Sequence, residues 1–188
     1  MRQVIRGFDA RVDVWFARLR GNRAADRVFY TASALGDFGL IWLALGLLRA
    51  LRGRPVDERA GVRAIVATGI ESIVVNAGLK TLFGRGRPVP MKKHPLPFRQ
   101  PLTSSFPSGH ATAAFCAATL LAEDDALAPA YYAAATVVAA SRIHVKIHHA
   151  SDVIGGAVIG VALGHLAGHL VPLHRGDPPT IAEEGATR

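Results

Sequence analysis

Residues 152–171 read DVIGGAVIGVALGHLAGHLV, and this stretch decides the class of fold. After its first residue it contains no Asp, Glu, Lys or Arg, and it reaches the roughly 20 residues that a helix needs to cross a bilayer. A glycine recurs along one face of the predicted helix, at Gly156, Gly160, Gly164 and Gly168. Small residues at this spacing let a second helix approach closely. We therefore expect a membrane helix that packs against a neighbour along its glycine face.

Four further apolar segments precede this one, at about residues 30–48, 62–82, 108–122 and 126–145. The first is long enough to span comfortably, and Arg and Lys side chains at the ends of the others would extend them toward the headgroups. No alternation of polar and apolar residues is long enough for a strand. The pattern predicts an all-α, multi-pass membrane helical bundle with about five spanning helices. The alternative is a soluble helical bundle.

The chain opens with an amphipathic segment, in which apolar residues at helical spacing alternate with arginines between residues 4 and 20. This pattern is typical of a helix that lies in the membrane interface, and the alternative is a helix that covers the side of a bundle. We assign residues 1–27 to an amphipathic interfacial helix, residues 28–172 to the membrane bundle, and residues 173–188 to a disordered tail.

The composition narrows the choice of partners. The net charge is +8 and 50% of the residues are hydrophobic. A basic chain can bind nucleic acid, but no recognition helix, zinc finger or aromatic platform occurs here, so we expect no nucleic-acid partner. Because the cations lie between apolar stretches, the expected partner is anionic lipid or phosphate. Cys116 is the single cysteine, so no internal disulfide is possible.

Ionisable residues cluster at the ends of the apolar segments in three short motifs. The motifs are Lys80-x6-Arg87-Pro88, Pro107-Ser108-Gly109-His110 and Ser141-Arg142-x5-His148-x3-Asp152. If every segment crosses the same layer, the connections that follow the second and fourth segments emerge on one face. The three motifs would then converge there.

The third motif pairs a base with a carboxylate. On a helix, His148 and Asp152 would share one face within contact range. A carboxylate bonded to one ring nitrogen fixes the histidine tautomer and leaves the lone pair of the other nitrogen available as a nucleophile. His110 is the second histidine, and the residues alone do not decide which of the two attacks.

The remaining motif residues suit a phosphate group. Ser108 and Gly109 lie where a helix begins, and backbone N–H groups at such an end point toward an anion. Fixed cations would neutralise the phosphate oxygens. These cations are Lys80, Arg87 and Arg142. Together with the histidines they provide what phosphoryl transfer without a metal needs.

In order and in spacing, the three motifs resemble the signature of the type 2 phosphatidic acid phosphatase superfamily, also called lipid phosphate phosphatases. The short apolar chain is similar to the compact bacterial membrane members. The resemblance implies a metal-independent mechanism without a cofactor, in which His148 attacks phosphorus and forms a phosphohistidine. It implies that Asp152 orients His148, and that His110 protonates the leaving alkoxide and then activates water. The phosphate-binding residues would be Lys80, Arg87, Ser108, Gly109 and Arg142.

The resemblance also implies the reaction, which is hydrolysis of a lipid phosphomonoester or diphosphate. Candidate substrates are phosphatidic acid, phosphatidylglycerophosphate, polyprenyl diphosphate and a polyprenyl-linked sugar phosphate. Many family members follow the nucleophile with an aromatic residue and a proline, where this chain has His149-Ala150, so substrate preference stays open. The face expected to carry the motifs is richer in Lys and Arg than the other face, which favours a cytoplasmic active site.

Three alternatives remain for the function. The same pocket serves soluble-type acid phosphatases and vanadate-dependent haloperoxidases, and a non-catalytic membrane protein would use it only to bind anionic lipid. His144, His148 and Asp152 at one-turn spacing also suggest a metal face, which the lack of a further ligand and the nearby cations disfavour.

Two acidic residues and the cations of one loop are further candidates for a structural or functional role. Asp37 and Glu71 are costly in lipid, so we expect them to face the bundle interior, as hydrogen-bond anchors or in a substrate cavity. The loop cations Arg85, Lys92, Lys93 and Arg99 are expected either to be solvated or to attract an anionic headgroup.

Overall fold

The computed structural model describes residues 2–91, 94 and 103–173, and over these residues the regular structure is entirely helical. The helices are α1 (Arg2–Ala17), α2 (Arg23–Gly36), α3 (Leu40–Ala50), α4 (Pro55–Ile73), α5 (Gly109–Ala122), α6 (Ala128–His144) and α7 (Ala150–Leu170). The all-α prediction is confirmed. The predicted tail beyond Leu173 and the loop cations Lys92, Lys93 and Arg99 lie outside the described residues.

Three helical stretches are long and apolar enough to cross a membrane. They are Arg23–Ala50 and Pro55–Leu82, of 28 residues each, and Ala150–Leu170, of 21. The second is longer than predicted because its helix already begins at Pro55. The apolar helix Gly109–Ala122 is shorter, so the number of five spanning helices stays a prediction.

The outward faces of these long helices carry large apolar side chains, as a lipid environment requires. Leu47 and Leu48 on α3, Ile70 on α4, and Val158 and Leu166 on α7 are all exposed. The inward faces carry buried polar residues, and Glu71 is among them, as the sequence predicts. The bundle is therefore apolar outside and polar at selected points inside.

The glycine face of α7 packs against α5, as predicted from its spacing. A Cβ atom at Gly160 would lie 2.3 Å from the Thr112 carbonyl oxygen, and one at Gly156 would lie 2.7 Å from the Ser108 carbonyl oxygen. Only glycine permits this approach. It brings the start of α5 beside the start of α7, where the Ser108 N–H donates to the Asp152 carbonyl over 3.1 Å.

The first long stretch is interrupted, which the sequence did not indicate. α2 ends at Gly36, a 3₁₀ turn covers Asp37–Gly39, and α3 continues from Leu40. Phe38 and Gly39 have positive φ angles of 55° and 70°. The prediction of one uninterrupted helix over residues 30–48 is wrong at this turn.

The second long stretch changes its winding where it approaches the motifs. After α4, a π-helical turn covers Val74–Gly78 and a 3₁₀ turn covers Leu79–Leu82. Such a change of winding rotates the residues that follow relative to a continuous α-helix. Lys80 lies in the second of these turns and is buried.

The N-terminal helix α1 covers the end of the bundle that carries the motifs. Phe16 is buried in a cluster with Ala139 and Ile143 of α6 and with Val153 of α7. Asp9 accepts hydrogen bonds from the backbone and the hydroxyl of Ser151, at 2.8 and 2.9 Å. The helix ends at Ala17, so the next helix starts within the range 1–27 assigned to one interfacial helix.

Candidate active site

His148 lies in the turn between α6 and α7 and not on a helix. α6 ends at His144, and the N-cap residue of α7 is His149. The His148 N–H donates to the Arg142 carbonyl over 3.1 Å, which ties this turn to the end of α6. The prediction that His148 and Asp152 lie on one helical face is therefore wrong, because the helix begins only after His148.

The two side chains nevertheless meet. His148 Nδ1 lies 3.8 Å from Asp152 Oδ2, a little beyond hydrogen-bond length. On the other side of the ring, Arg87 Nη1 lies 3.2 Å from His148 Nε2. An arginine N–H can only donate, so Nε2 is the acceptor and the proton of the neutral ring is on Nδ1, toward Asp152. The nitrogen available for chemistry is Nε2.

Burial keeps the His148 ring neutral. The residue is 3% exposed, and its pKa is lowered to about 3, chiefly by burial and also by the Arg142 and Arg87 cations, with Asp152 acting in the opposite direction. A histidine nucleophile must be unprotonated to attack. The Nε2 lone pair is therefore present throughout the physiological pH range.

Three donors, two of them from outside the motif, fix the Asp152 carboxylate. Arg85 Nη1 donates to Oδ1 over 2.7 Å, the His149 N–H donates to Oδ2 over 2.8 Å, and the Ser105 hydroxyl also donates to Oδ2. Arg85 in turn is held by Asp9 at 2.6 Å. These contacts keep the carboxylate ionised and aimed at His148. Arg85 is therefore ion-paired and not simply solvated, and its attraction of a headgroup stays a prediction. Nothing in the sequence indicated Ser105.

The start of α5 and the cations beside it form a candidate anion site, called here the anion pocket. Ser108 is the N-cap residue of α5 and is fully buried. A Cβ atom at Gly109 would lie 3.2 Å from Lys80 Nζ, so the lysine reaches the first turn of the helix. Backbone N–H groups and a cation that meet in this way form an anion site.

In this pocket, Lys80 and Arg87 donate to neutral acceptors. Lys80 Nζ donates to Asn76 Oδ1 over 2.7 Å, although the lysine is only 7% exposed. Arg87 Nη1 donates to the Ile147 carbonyl over 2.8 Å, and Arg142 Nη1 donates to the Ser33 hydroxyl. In the described ranges, no carboxylate lies within ion-pair distance of Lys80 or Arg87. Because buried charge without a counter-charge is costly, Lys80 and Arg87 favour an anionic ligand.

His110 stands in the first turn of α5 and faces the interrupted helix. Its Nε2 lies 3.1 Å from Asp37 Oδ1 and 3.3 Å from the Ser33 carbonyl oxygen. Since the Ser33 hydroxyl binds Arg142, this residue links the histidine to the anion pocket. All the predicted site residues are brought to one end of the bundle, and Asp37, which the sequence left without a defined role, joins them.

His144 belongs to a separate cluster. Its Nε2 lies 2.8 Å from Asp26 Oδ1, and its ring stacks on Phe29 with centroids 4.6 Å apart. The one-turn spacing that suggested a metal face ends with α6, before His148. Over the part of the chain that the structure describes, no group of three or more His, Cys, Asp or Glu side chains is placed to hold a metal ion.

The fold and the site together define a helical membrane bundle. At one end it carries a buried histidine and a group of positively charged side chains suited to an anion. Residues 60–175 match the PAP2 superfamily. The chain belongs to this superfamily, as its three motifs indicate.

The names of two similar proteins describe phosphatases of lipid-linked substrates. Decaprenylphosphoryl-5-phosphoribose phosphatase of Mycobacterium tuberculosis is 36% identical over 150 residues, which cover 75% of this chain and 77% of that protein. Lipid A 1-phosphatase of Porphyromonas gingivalis is 37% identical over 110 residues, which cover 56% of this chain and 22% of that protein.

Two crystal structures share the fold. The transmembrane PAP2 type phosphatidylglycerolphosphate phosphatase from Bacillus subtilis superposes with a TM-score of 0.71 at 20% identity, covering 93% of this chain and 90% of that one. LpxE of Aquifex aeolicus gives a TM-score of 0.67 at 27% identity, covering 84% of this chain and 93% of that one. The membrane location of the protein follows from these neighbours and from its candidate spans.

Proposed function

We propose that the protein is a lipid phosphatase that transfers the phosphoryl group of its substrate to His148 and then to water. The observation that carries this proposal is the state of the His148 ring. The ring is buried and neutral, its proton is on the side of Asp152, and its Nε2 lone pair lies 3.2 Å from a guanidinium that can hold a phosphate oxygen.

In the first step, the Nε2 lone pair of His148 attacks phosphorus, and the bond from phosphorus to the lipid oxygen breaks. The imidazolium that forms on His148 is stabilised by Asp152. The protonated His110 gives its proton to the leaving oxygen. Fixed positive charge around the phosphate stabilises the transition state, which is the main contribution a protein makes to phosphoryl transfer. That charge comes from Lys80, Arg87 and Arg142.

In the second step, His110 is neutral and accepts a proton from water. The hydroxide oxygen bonds to phosphorus, the bond from phosphorus to His148 breaks, and inorganic phosphate leaves. Both histidines return to their starting states, so the cycle consumes only water.

For the substrate, we infer a phosphomonoester on a polyprenyl-linked lipid. One observation supports this choice over the other lipid phosphates: the relative that matches three quarters of the chain is a decaprenylphosphoryl-5-phosphoribose phosphatase. The apolar outward faces of the long helices suit any lipid substrate, because the tail stays in the bilayer while the headgroup enters the pocket.

The test is phosphate release by the detergent-purified protein from a panel of lipid phosphates, with and without EDTA. We expect release that resists EDTA, that is highest with a polyprenyl-linked sugar phosphate, and that His148→Ala abolishes. Loss of turnover on chelation would support a metal mechanism. Binding of anionic lipid without turnover of any substrate would support the non-catalytic alternative, and halide oxidation in the presence of vanadate would support a haloperoxidase.

For the orientation, we infer that the active end faces the cytoplasm, because its loops are rich in Lys and Arg. The native cysteine, Cys116, is buried, so introduced cysteines can be labelled against a low background. In intact cells, a membrane-impermeant maleimide should label Leu51→Cys at the opposite end and leave Arg18→Cys at the active end unlabelled. The reverse pattern would place the active site on the outer face.

A further inference from the structure

The interruption of the first long helix occurs beside His110. Phe38 and Gly39 adopt left-handed backbone angles, φ 55° and 70°, and such angles cost a non-glycine residue such as Phe38 about 1 kcal/mol or more. The break also introduces Asp37, a carboxylate, into a stretch that is otherwise long and apolar enough to span. Carboxylates within membrane spans are costly and mark functional positions. Both the left-handed backbone and the carboxylate are costly at this position, so we expect Asp37 to make a compensating interaction there.

Successive turns of the broken helix contact one imidazole ring. Asp37 Oδ1 lies 3.1 Å from His110 Nε2, and the Ser33 carbonyl oxygen lies 3.3 Å from the same atom. A Cβ atom at Gly36 would lie 2.7 Å from His110 Cδ2, so a glycine at this position makes room for the ring. The end of α2 is thus shaped around His110.

These contacts fix the state of the His110 ring. A carbonyl oxygen and an ionised carboxylate only accept hydrogen bonds, so Nε2 carries a hydrogen and Nδ1 is the nitrogen that can exchange a proton. Burial of the ring and the nearby Arg142 cation disfavour the imidazolium form, and the negative charge of Asp37 favours it. The two histidines are therefore oriented in opposite senses. His148 keeps its proton on Nδ1 and acts through Nε2, and His110 keeps its proton on Nε2 and acts through Nδ1.

We propose that Asp37 is the positioning residue of the general acid and base His110, as Asp152 is for His148. It holds the ring with Nδ1 free to exchange a proton, and it stabilises the imidazolium that protonates the leaving oxygen. This inference rests on the proposed function, in which His110 gives a proton in the first step and takes one from water in the second.

The first readout is the kinetics of Asp37→Asn. With a lipid phosphate we expect kcat to fall about 10²–10³-fold, less than the roughly 10⁴-fold effect of the corresponding change in a serine protease triad, while KM changes little because Asp37 acts through His110 and is not among the proposed phosphate-binding residues. Asp37→Glu, which restores the charge, should recover part of kcat. Asp57→Asn, which removes a buried carboxylate at the opposite end of the bundle, should leave the kcat of the folded protein unchanged.

The second readout separates positioning from a merely structural role. p-Nitrophenolate leaves without needing a proton, so with p-nitrophenyl phosphate the first step of Asp37→Asn should stay fast while water activation by His110 is slow. The variant should therefore accumulate phosphoenzyme above the wild-type level. Equal slowing of both steps, or a loss of activity that follows the loss of folded protein, would overturn the proposal.

The third readout does not depend on turnover. With ¹⁵N-labelled histidines, at a pH where His110 is neutral, we expect the signal that His110→Ala removes to show the Nε2–H tautomer in the wild type, and Asp37→Asn to weaken this preference. An unchanged tautomer in Asp37→Asn would overturn the role of Asp37. If the wild type hydrolyses no phosphate but the tautomer responds as expected, the proposed function fails while the contact between Asp37 and His110 stands.

Discussion

Buried cations at the two ends of the bundle have different partners. At the end away from the motifs, Arg49 is fully buried, lies 3.2 Å from Asp57 Oδ1, and donates to the Glu123 carbonyl over 2.8 Å. Arg63 lies 2.6 Å from Glu123 Oε2. At the active end, Lys80 is also buried, with 7% of its surface exposed, but it donates to the neutral amide of Asn76.

This difference separates a structural use of charge from a functional one. A buried ion pair whose hydrogen bonds are satisfied holds helices together, and removing one partner is strongly destabilising. A buried cation that contacts neutral groups lacks this compensation until an anion binds. At the active end, the buried positive charge is therefore available to bind an anion. At the opposite end, buried ion pairs join α3 and α4 to the loop before α6.

The sharpest way to test the comparison is to remove one cation from each end with the same substitution. Lys80→Met should lower kcat/KM about 10²–10³-fold, the range for loss of one transition-state donor, and should leave the melting temperature unchanged or raise it because a buried charge is lost. Arg49→Met should lower the free energy of unfolding by about 3 kcal/mol, the lower range for a broken buried pair, with the kcat of the folded fraction unchanged.

The two measurements are steady-state kinetics and thermal unfolding in the same detergent. If Lys80→Met destabilised the protein as much as Arg49→Met, the lysine would be part of the structural framework. If Arg49→Met lowered the kcat of the folded fraction, the separation of the two ends would be wrong.

A smaller effect is expected for the arginines that bridge elements at each end. Arg85→Ala should lower kcat about 10–100-fold, as loss of an outer-shell partner does at metal sites, because Asp152 loses a donor at 2.7 Å. Arg52 binds Asp125 at 2.6 Å and is partly exposed. Its removal should cost no more than about 1 kcal/mol of stability, with kcat unchanged.

In this pair, kinetics with a saturating lipid phosphate decide the outcome. A rise in KM without a fall in kcat in Arg85→Ala would show that Arg85 attracts the headgroup and does not position Asp152. An effect of Arg52→Ala on kcat would show coupling between the two ends of the bundle.

The sequence predicted the members of the motifs and the helices that bring them together. Residues such as His148 and Asp152 could be found because their spacing is short and their chemistry is distinctive. The glycine face of α7 could be found because small residues recur at a helical period, and that face sets the close approach of α5, on which Ser108 and His110 stand.

The supporting residues could not be found in this way. Ser105 and Arg85 reach Asp152 across 47 and 67 residues of chain, and no local pattern indicates which polar loop residue will turn inward. The break after Gly36 depends on left-handed angles at Phe38, a residue that does not favour them. The turn contacts His110, and local preference does not account for it.

The most direct test of the central claim is to trap the covalent intermediate. A substrate with labelled phosphate would be mixed with the enzyme and quenched in alkali within milliseconds, because phosphohistidine survives alkali, and the labelled peptide would be identified by mass spectrometry. The account predicts phosphate on Nε2 of His148, labile to acid and absent from His148→Ala. Turnover without a labelled enzyme, or phosphate on any other residue, would contradict it.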